Sequence, residues 1–120
     1  MLASILVGMS IGAASELVAR RQRLWVYRSP VYPIVNVVLM FGVVMGSVAA
    51  FGGTLGLPVL FGIGFAVGLA FELAYLGVLD WWFFPDDRLL ALRGREACAV
   101  GVSLAWGGVP VAVALVRGLA

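Results

Sequence analysis

Two acidic residues, Glu16 and Glu72, stand inside otherwise apolar segments of this 120-residue chain. A charged group at the centre of a bilayer costs roughly 2.5–3.5 kcal/mol on insertion scales. Each carboxyl must therefore hold a proton, meet a cation or hydrogen-bond to a neighbouring helix. Were the two to approach each other, they would titrate as a coupled pair and hold a proton or cation between them. That is the chemistry of a proton-coupled or cation-handling site. Asn36 and Ser103 are the candidate hydrogen-bond partners for Glu72, and Asn36 joins Glu16 and Glu72 as a candidate ion- or substrate-binding residue. Glu16 also has a plainer explanation. Arg20 follows it by four positions, the spacing of a routine ion pair on a helix. Glu72 has Leu76 at that spacing instead.

A second dense spot is the run LDWWFFPDDR at 79–88. Asp80, Asp86 and Asp87 offer hard oxygen ligands of the kind that hold divalent cations. Charged residues just past an apolar span are usually interfacial anchors, so no metal site is assigned there. Pro85 should stop or bend the helix before it.

Other chemistry is excluded by what the chain lacks. With no His, the commonest metal ligand and the usual haem ligand are missing. The single Cys, Cys98, permits neither an internal disulfide nor a CxxC pair. There is no P-loop, dinucleotide fingerprint or nucleophile motif. No cofactor is expected.

These carboxyls must be positioned by membrane helices. The chain is 63 % hydrophobic and 12 % charged, against about half and about a quarter for a soluble domain. A span needs about 20 mostly apolar residues, and four segments qualify: Met1–Ala19, Val31–Phe51, Leu57–Leu79 and Ala97–Val116. Glu72 then falls about 5 Å from the middle of its span by helix rise, and Glu16 lies nearer an end. The expected fold class is an all-α integral membrane protein, one domain over 1–120. The basic residues are all Arg. The segment 20–30 carries Arg20, Arg21, Arg23 and Arg28 with no acid, and 80–96 carries Arg88, Arg93 and Arg95. The positive-inside rule makes these two segments cytoplasmic, with both termini outside a bacterial-type inner (plasma) membrane. No basic residue precedes the first apolar run, so it reads as a retained helix rather than a signal peptide. Trp25, Trp81 and Trp82, with Arg20, Arg21 and Arg23, are the expected interfacial anchors.

The spans also resemble one another. A shift of 56 places Gly8 on Gly64, Gly12 on Gly68, Ala14 on Ala70, Glu16 on Glu72, Leu17 on Leu73 and Trp25 on Trp81. A shift of 65 relates the second and fourth spans more weakly, through Val35/Val100, Val37/Val102, Leu39/Leu104 and Gly42/Gly107. Shared apolar composition is the competing explanation, but the matched pair of Glu weighs against it, because the chain has only three Glu. The expectation is two repeated helical hairpins, about 1–51 and 57–117, related by an axis along the membrane normal. Gly8/Gly12, Gly42/Gly46 and Gly64/Gly68 are GxxxG pairs, which let lipid-solvated helices approach closely within the bundle or between subunits.

Three functions fit these residues. The first is a proton- or cation-coupled transporter or channel subunit using the paired carboxylates. The second is a non-catalytic subunit of a larger membrane complex, docking partner helices, lipids or pigments. The third is an acid–base enzyme acting on a lipid-soluble substrate. The expected partners are the lipid bilayer and either further copies of the chain or a larger complex. Four Arg in the first loop suit anionic headgroups better than nucleic acid. The size, the four spans and a Glu in the first helix are similar in architecture to the small multidrug resistance transporters. That family has one key Glu and glycine and aromatic motifs in its third and fourth helices that have no counterpart here, so the likeness goes no further.

Overall fold

The computed structural model describes residues 1–75, 82–83 and 95–119, with 82–83 and 95–99 described by backbone alone. Four helices make up the fold. The first, Leu2–Gln22, runs past the apolar segment, so Arg20 and Arg21 form its last turn rather than a loop. Their charges lie at the negative end of the helix dipole, which favours the extra turn. The helix stops at Arg23, which takes the left-handed conformation (φ 51°, ψ 45°) and donates its N–H to the Ala19 carbonyl.

The second helix, Tyr32–Leu55, changes register along its length. It opens with Pro33 in its first turn, where a missing N–H costs nothing. Asn36–Met45 is wound as a π-helix, with an α-helical turn over Gly46–Gly52 and a 3-10 turn over Gly53–Leu55. The gap of 52–56 between the second and third apolar segments therefore shrinks to one residue, Gly56. Its φ of 90° and ψ of 156° are open to glycine alone. Pro58 then starts the third helix, Leu57–Leu73. The remainder of the apolar segment expected to reach Leu79 lies outside the described residues beyond Tyr75. The fourth helix, Arg95–Arg117, contains Pro110. The two-residue strands 26–27 and 82–83 pair antiparallel, Val26 opposite Phe83 and Tyr27 opposite Trp82.

Helices one, two and four are long and apolar enough to cross a membrane, and the third is a shorter apolar helix as described. The molecule is 40 Å long, close to the thickness of a bilayer with its headgroups. Leu6, Leu17, Phe51, Leu73, Leu104 and Val116 are all more than 45 % exposed. In water so much exposed apolar surface would be a liability; in lipid it is the ordinary state of an outer face. The core is small: Met40, Met45, Leu60 and Val113 are fully buried where the helices cross.

Packing follows two stripes of spacing four. Ser4, Gly8 and Gly12 are the buried face of the first helix, and Leu60, Gly64, Gly68 and Glu72 that of the third. A Cβ on Gly8 would strike the Phe41 carbonyl oxygen, and one on Gly12 the Phe41 ring. A Cβ on Gly64 would lie 2.7 Å from Pro110 Cγ and 2.9 Å from the Trp106 carbonyl oxygen, and one on Gly68 would strike the Trp106 side chain. Gly46 sits equally tightly on the backbone of Ser4 and Ile5, and Gly42 on Met9.

The Phe41 and Trp106 carbonyls, which face Gly8 and Gly64, both lie where ordinary α-helical pairing is interrupted, by different means. A π-helix pairs each N–H with the carbonyl five residues back. At Gly46 the pairing returns to Gly42 and Val43, so the change of register passes over the Phe41 carbonyl. Trp106 lies four residues before Pro110, which has no N–H to give it. In each case the oxygen rests on the bare face of a glycine in the adjoining helix, where weak Cα–H···O contacts supplement packing.

Candidate functional site

Glu72 stands at the end of the third helix's small-residue stripe and is 3 % exposed. Gly68, one turn before it, leaves the space into which the Trp106 side chain fits. Packed there, Trp106 donates its indole N–H to Glu72 Oε1 at 2.7 Å. Phe41 braces the other side of the indole, with ring centroids 4.5 Å apart and planes tilted by 46°. Gly68, Trp106 and Phe41 thus fix the carboxylate of Glu72 through one chain of contacts.

Glu16 is held differently. Tyr27 donates its phenol O–H to Glu16 Oε1 at 2.5 Å, and Asn36 donates from Nδ2 to the same oxygen at 2.8 Å. Asn36 also donates to the Tyr27 oxygen at 3.1 Å, which closes a three-membered network. Burial of the Tyr27 ring, then the charge of Glu16, pushes its phenol well above the ordinary range. The phenol therefore stays protonated and acts as a donor. Among the described residues no ion pair joins Glu16 to Arg20, and Arg20 is exposed. Two fixed neutral donors occupy the carboxylate in place of a flexible side chain that prefers water. Asn36 serves Glu16 rather than Glu72, whose donor is Trp106. Ser103 is fully buried in the fourth helix.

Two cavities adjoin these groups. The first has a volume of about 590 Å³, within the usual size range of small-molecule sites. Its wall carries six aromatic rings, Trp25, Tyr27, Tyr32, Phe41, Tyr75 and Trp106, together with Glu72 and Asn36. The second, about 680 Å³, is lined by Glu16, Arg20 and Arg23 on one side and by Pro30, Pro33 and Ile34 on the other. Trp25 and Tyr27 line both and form the partition. Glu16 and Glu72 thus face different cavities, with the Tyr27–Asn36 network of Glu16 reaching the cavity of Glu72. Asp80, Asp86, Asp87, Trp81 and the loop Arg residues 88 and 93 lie outside the described residues, as do the side chains of Trp82, Arg95 and Cys98.

Tyr27, Tyr75 and Trp106 carry as much of the site as the residues singled out from composition. Trp106 had a signal in the chain: the shift of 65 that relates Gly42 to Gly107 also places Phe41 on Trp106. The network makes a prediction of its own. Tyr27→Phe removes one hydrogen bond to a carboxylate and should cost about 1.5–3 kcal/mol. A double-mutant cycle with Asn36→Leu, read by unfolding in detergent, should give a coupling energy of about 0.5–3 kcal/mol. Strict additivity would mean that the three groups do not act as a unit.

No family profile, curated protein or solved structure matches this chain. Function is therefore inferred from the geometry.

Proposed function

We propose that this chain is a small integral membrane protein that exchanges protons for a cation, with Glu72 as the binding carboxylate. The observation that carries this reading is a carboxylate only 3 % exposed, in the wall of a largely apolar cavity of about 590 Å³ that also presents six aromatic rings. A buried carboxylate in apolar surroundings is stable when protonated or beside a cation. Aromatic faces favour a cation that is itself apolar, and quaternary ammonium groups are bound in this way elsewhere. Proton and organic cation then compete for one position, which is the minimum requirement for coupled exchange. Glu16 and Asn36 act from the far side of the Tyr27 partition.

The same reading takes the molecule as two repeated hairpins about an axis along the membrane normal, with segments 20–30 and 80–96 at the cytoplasmic face of a bacterial inner membrane. Three correspondences support the repeat. Gly8 with the Phe41 carbonyl matches Gly64 with the Trp106 carbonyl. Gly12 with the Phe41 ring matches Gly68 with the Trp106 ring. The strand pair Val26–Phe83 and Tyr27–Trp82 is what a twofold axis gives when the shift of 56 carries one strand onto the other.

The test uses benzyltrimethylammonium, an aromatic quaternary cation, with protein reconstituted in liposomes. An outward proton gradient should drive its uptake above that of protein-free vesicles, and a reversed gradient should not. In weakly buffered detergent, its binding should release protons. Binding without proton release would leave a cation site but remove the coupling, and absence of both would end the reading.

A further inference from the structure

The second cavity is built for a ligand with one charged end and one apolar end. Ala13, Leu17 and Arg20 follow one another at spacings of four and three along one face of the first helix, so they line the cavity in order of depth. Apolar lining, Leu17 and Ile34, is more than half exposed towards the surroundings of the bundle. Arg20 and Arg23 stand at the helix end. Among the described residues neither guanidinium has an ion-pair or hydrogen-bond partner. The segment 20–28 that supplies them holds four Arg and no acid. Glu16 also borders the cavity, one helical turn (about 6 Å of rise) deeper than Arg20. Its Oε1 is already occupied by Tyr27 and Asn36.

We propose that this cavity binds one anionic phospholipid, with the phosphate between Arg20 and Arg23 and an acyl chain over Leu17, Ala13 and Ile34. The polarity runs in the direction that a bilayer lipid requires. The basic pair lies at headgroup depth and the apolar lining points to the hydrocarbon. A soluble phosphate compound would use only half of the cavity. Because Tyr27 and Trp25 form the wall shared with the other cavity, the lipid would also buttress the partition next to Glu16. The proposal requires only that the chain sits in a membrane. It is independent of any exchange at Glu72.

Native mass spectrometry of the protein, released from micelles doped with equal amounts of dioleoylphosphatidylglycerol and dioleoylphosphatidylcholine, reads the site directly. One anionic lipid should be retained in preference to the zwitterionic one. Each basic residue contributes about fivefold to binding an anionic lipid surface, so the pair is worth roughly thirtyfold. The Arg20→Gln/Arg23→Gln variant should lose that preference, and Arg117→Gln, outside the cavity, should keep it. Arg23→Gly guards against misfolding. Glycine suits the left-handed backbone at that position, so only the guanidinium is lost, and the preference should fall about fivefold. Leu17→Gln with Ile34→Gln should weaken retention while leaving every charge in place. Equal retention of the two lipids by the unaltered protein would overturn the proposal. So would a preference that survives Arg20→Gln/Arg23→Gln, or an equal loss in Arg117→Gln. Displacement of the lipid by inorganic phosphate at matched concentration would also overturn it, since the apolar half would then contribute nothing.

Discussion

Glu72→Gln is expected to reduce benzyltrimethylammonium uptake to the level of protein-free liposomes and to abolish the proton released on binding. Glutamine keeps the shape and can still accept the indole N–H of Trp106 through its amide oxygen, so the fold should persist. What disappears is the charge. Removing one partner of a buried charge pair costs about 2–5 kcal/mol, which is roughly thirtyfold to several thousandfold in affinity. Two further variants separate charge from position. Glu72→Asp keeps the charge but draws it back by one methylene from Trp106, now 2.7 Å away, and should bind weakly while still releasing protons. Trp106→Phe keeps an aromatic ring on Gly68 but removes the donor, worth about 1.5–3 kcal/mol for a charged acceptor. It should shift the pH dependence of uptake rather than eliminate it. If Glu72→Gln transports as well as the unaltered protein, the carboxylate is structural and the exchange reading fails.

The second large effect concerns packing. Gly68→Val should both destabilise the protein and disable the site. A Cβ at Gly68 falls on the Trp106 side chain, so the indole must leave its seat and Glu72 loses the Trp106 hydrogen bond. Overpacking of this kind costs about 1–3 kcal/mol, and more where backbone cannot yield. Gly8→Ala should be worse than its size suggests, because the obstacle is the Phe41 main-chain oxygen rather than a side chain that can turn aside. The control is Gly62→Ala. Nothing lies within 4 Å of a Cβ there, and replacing a mid-helix glycine should gain up to about 1 kcal/mol of helix propensity. Denaturation in mixed micelles, followed by tryptophan fluorescence, orders the three. Equal loss in Gly62→Ala and Gly68→Val would mean that helix approach at the stripe is not what holds the bundle.

The four apolar segments and the basic bias of segment 20–30 are legible in the chain because they depend on composition summed over many residues. The spacing of Gly8, Gly12, Gly64 and Gly68 is legible for the same reason, since helical periodicity places residues four apart on one face. The likeness of Glu16 to Glu72 also belongs to this level. It identifies two carboxyls without saying what each one meets.

That second question depends on contacts between residues distant in sequence. Arg20 lies one turn from Glu16, yet Glu16 turns to Tyr27, 11 positions away, and Asn36, 20 positions away. An exposed arginine keeps its hydration, while neutral donors on the facing segment are already fixed by packing. The donor to Glu72 comes from Trp106, 34 positions further on. It reaches the carboxylate because Gly68 is bare and Phe41 packs against the indole from another side. The π-wound stretch Asn36–Met45 contains no residue that forces it; π turns arise where helix packing favours a shifted register, and local propensity barely distinguishes them from α turns. The partition between the cavities is of the same kind. Trp25 and Tyr27 look like interfacial aromatics when read along the chain. The antiparallel pairing of 26–27 with 82–83 places them between the two carboxyls, because strand pairing joins segments that periodicity treats separately.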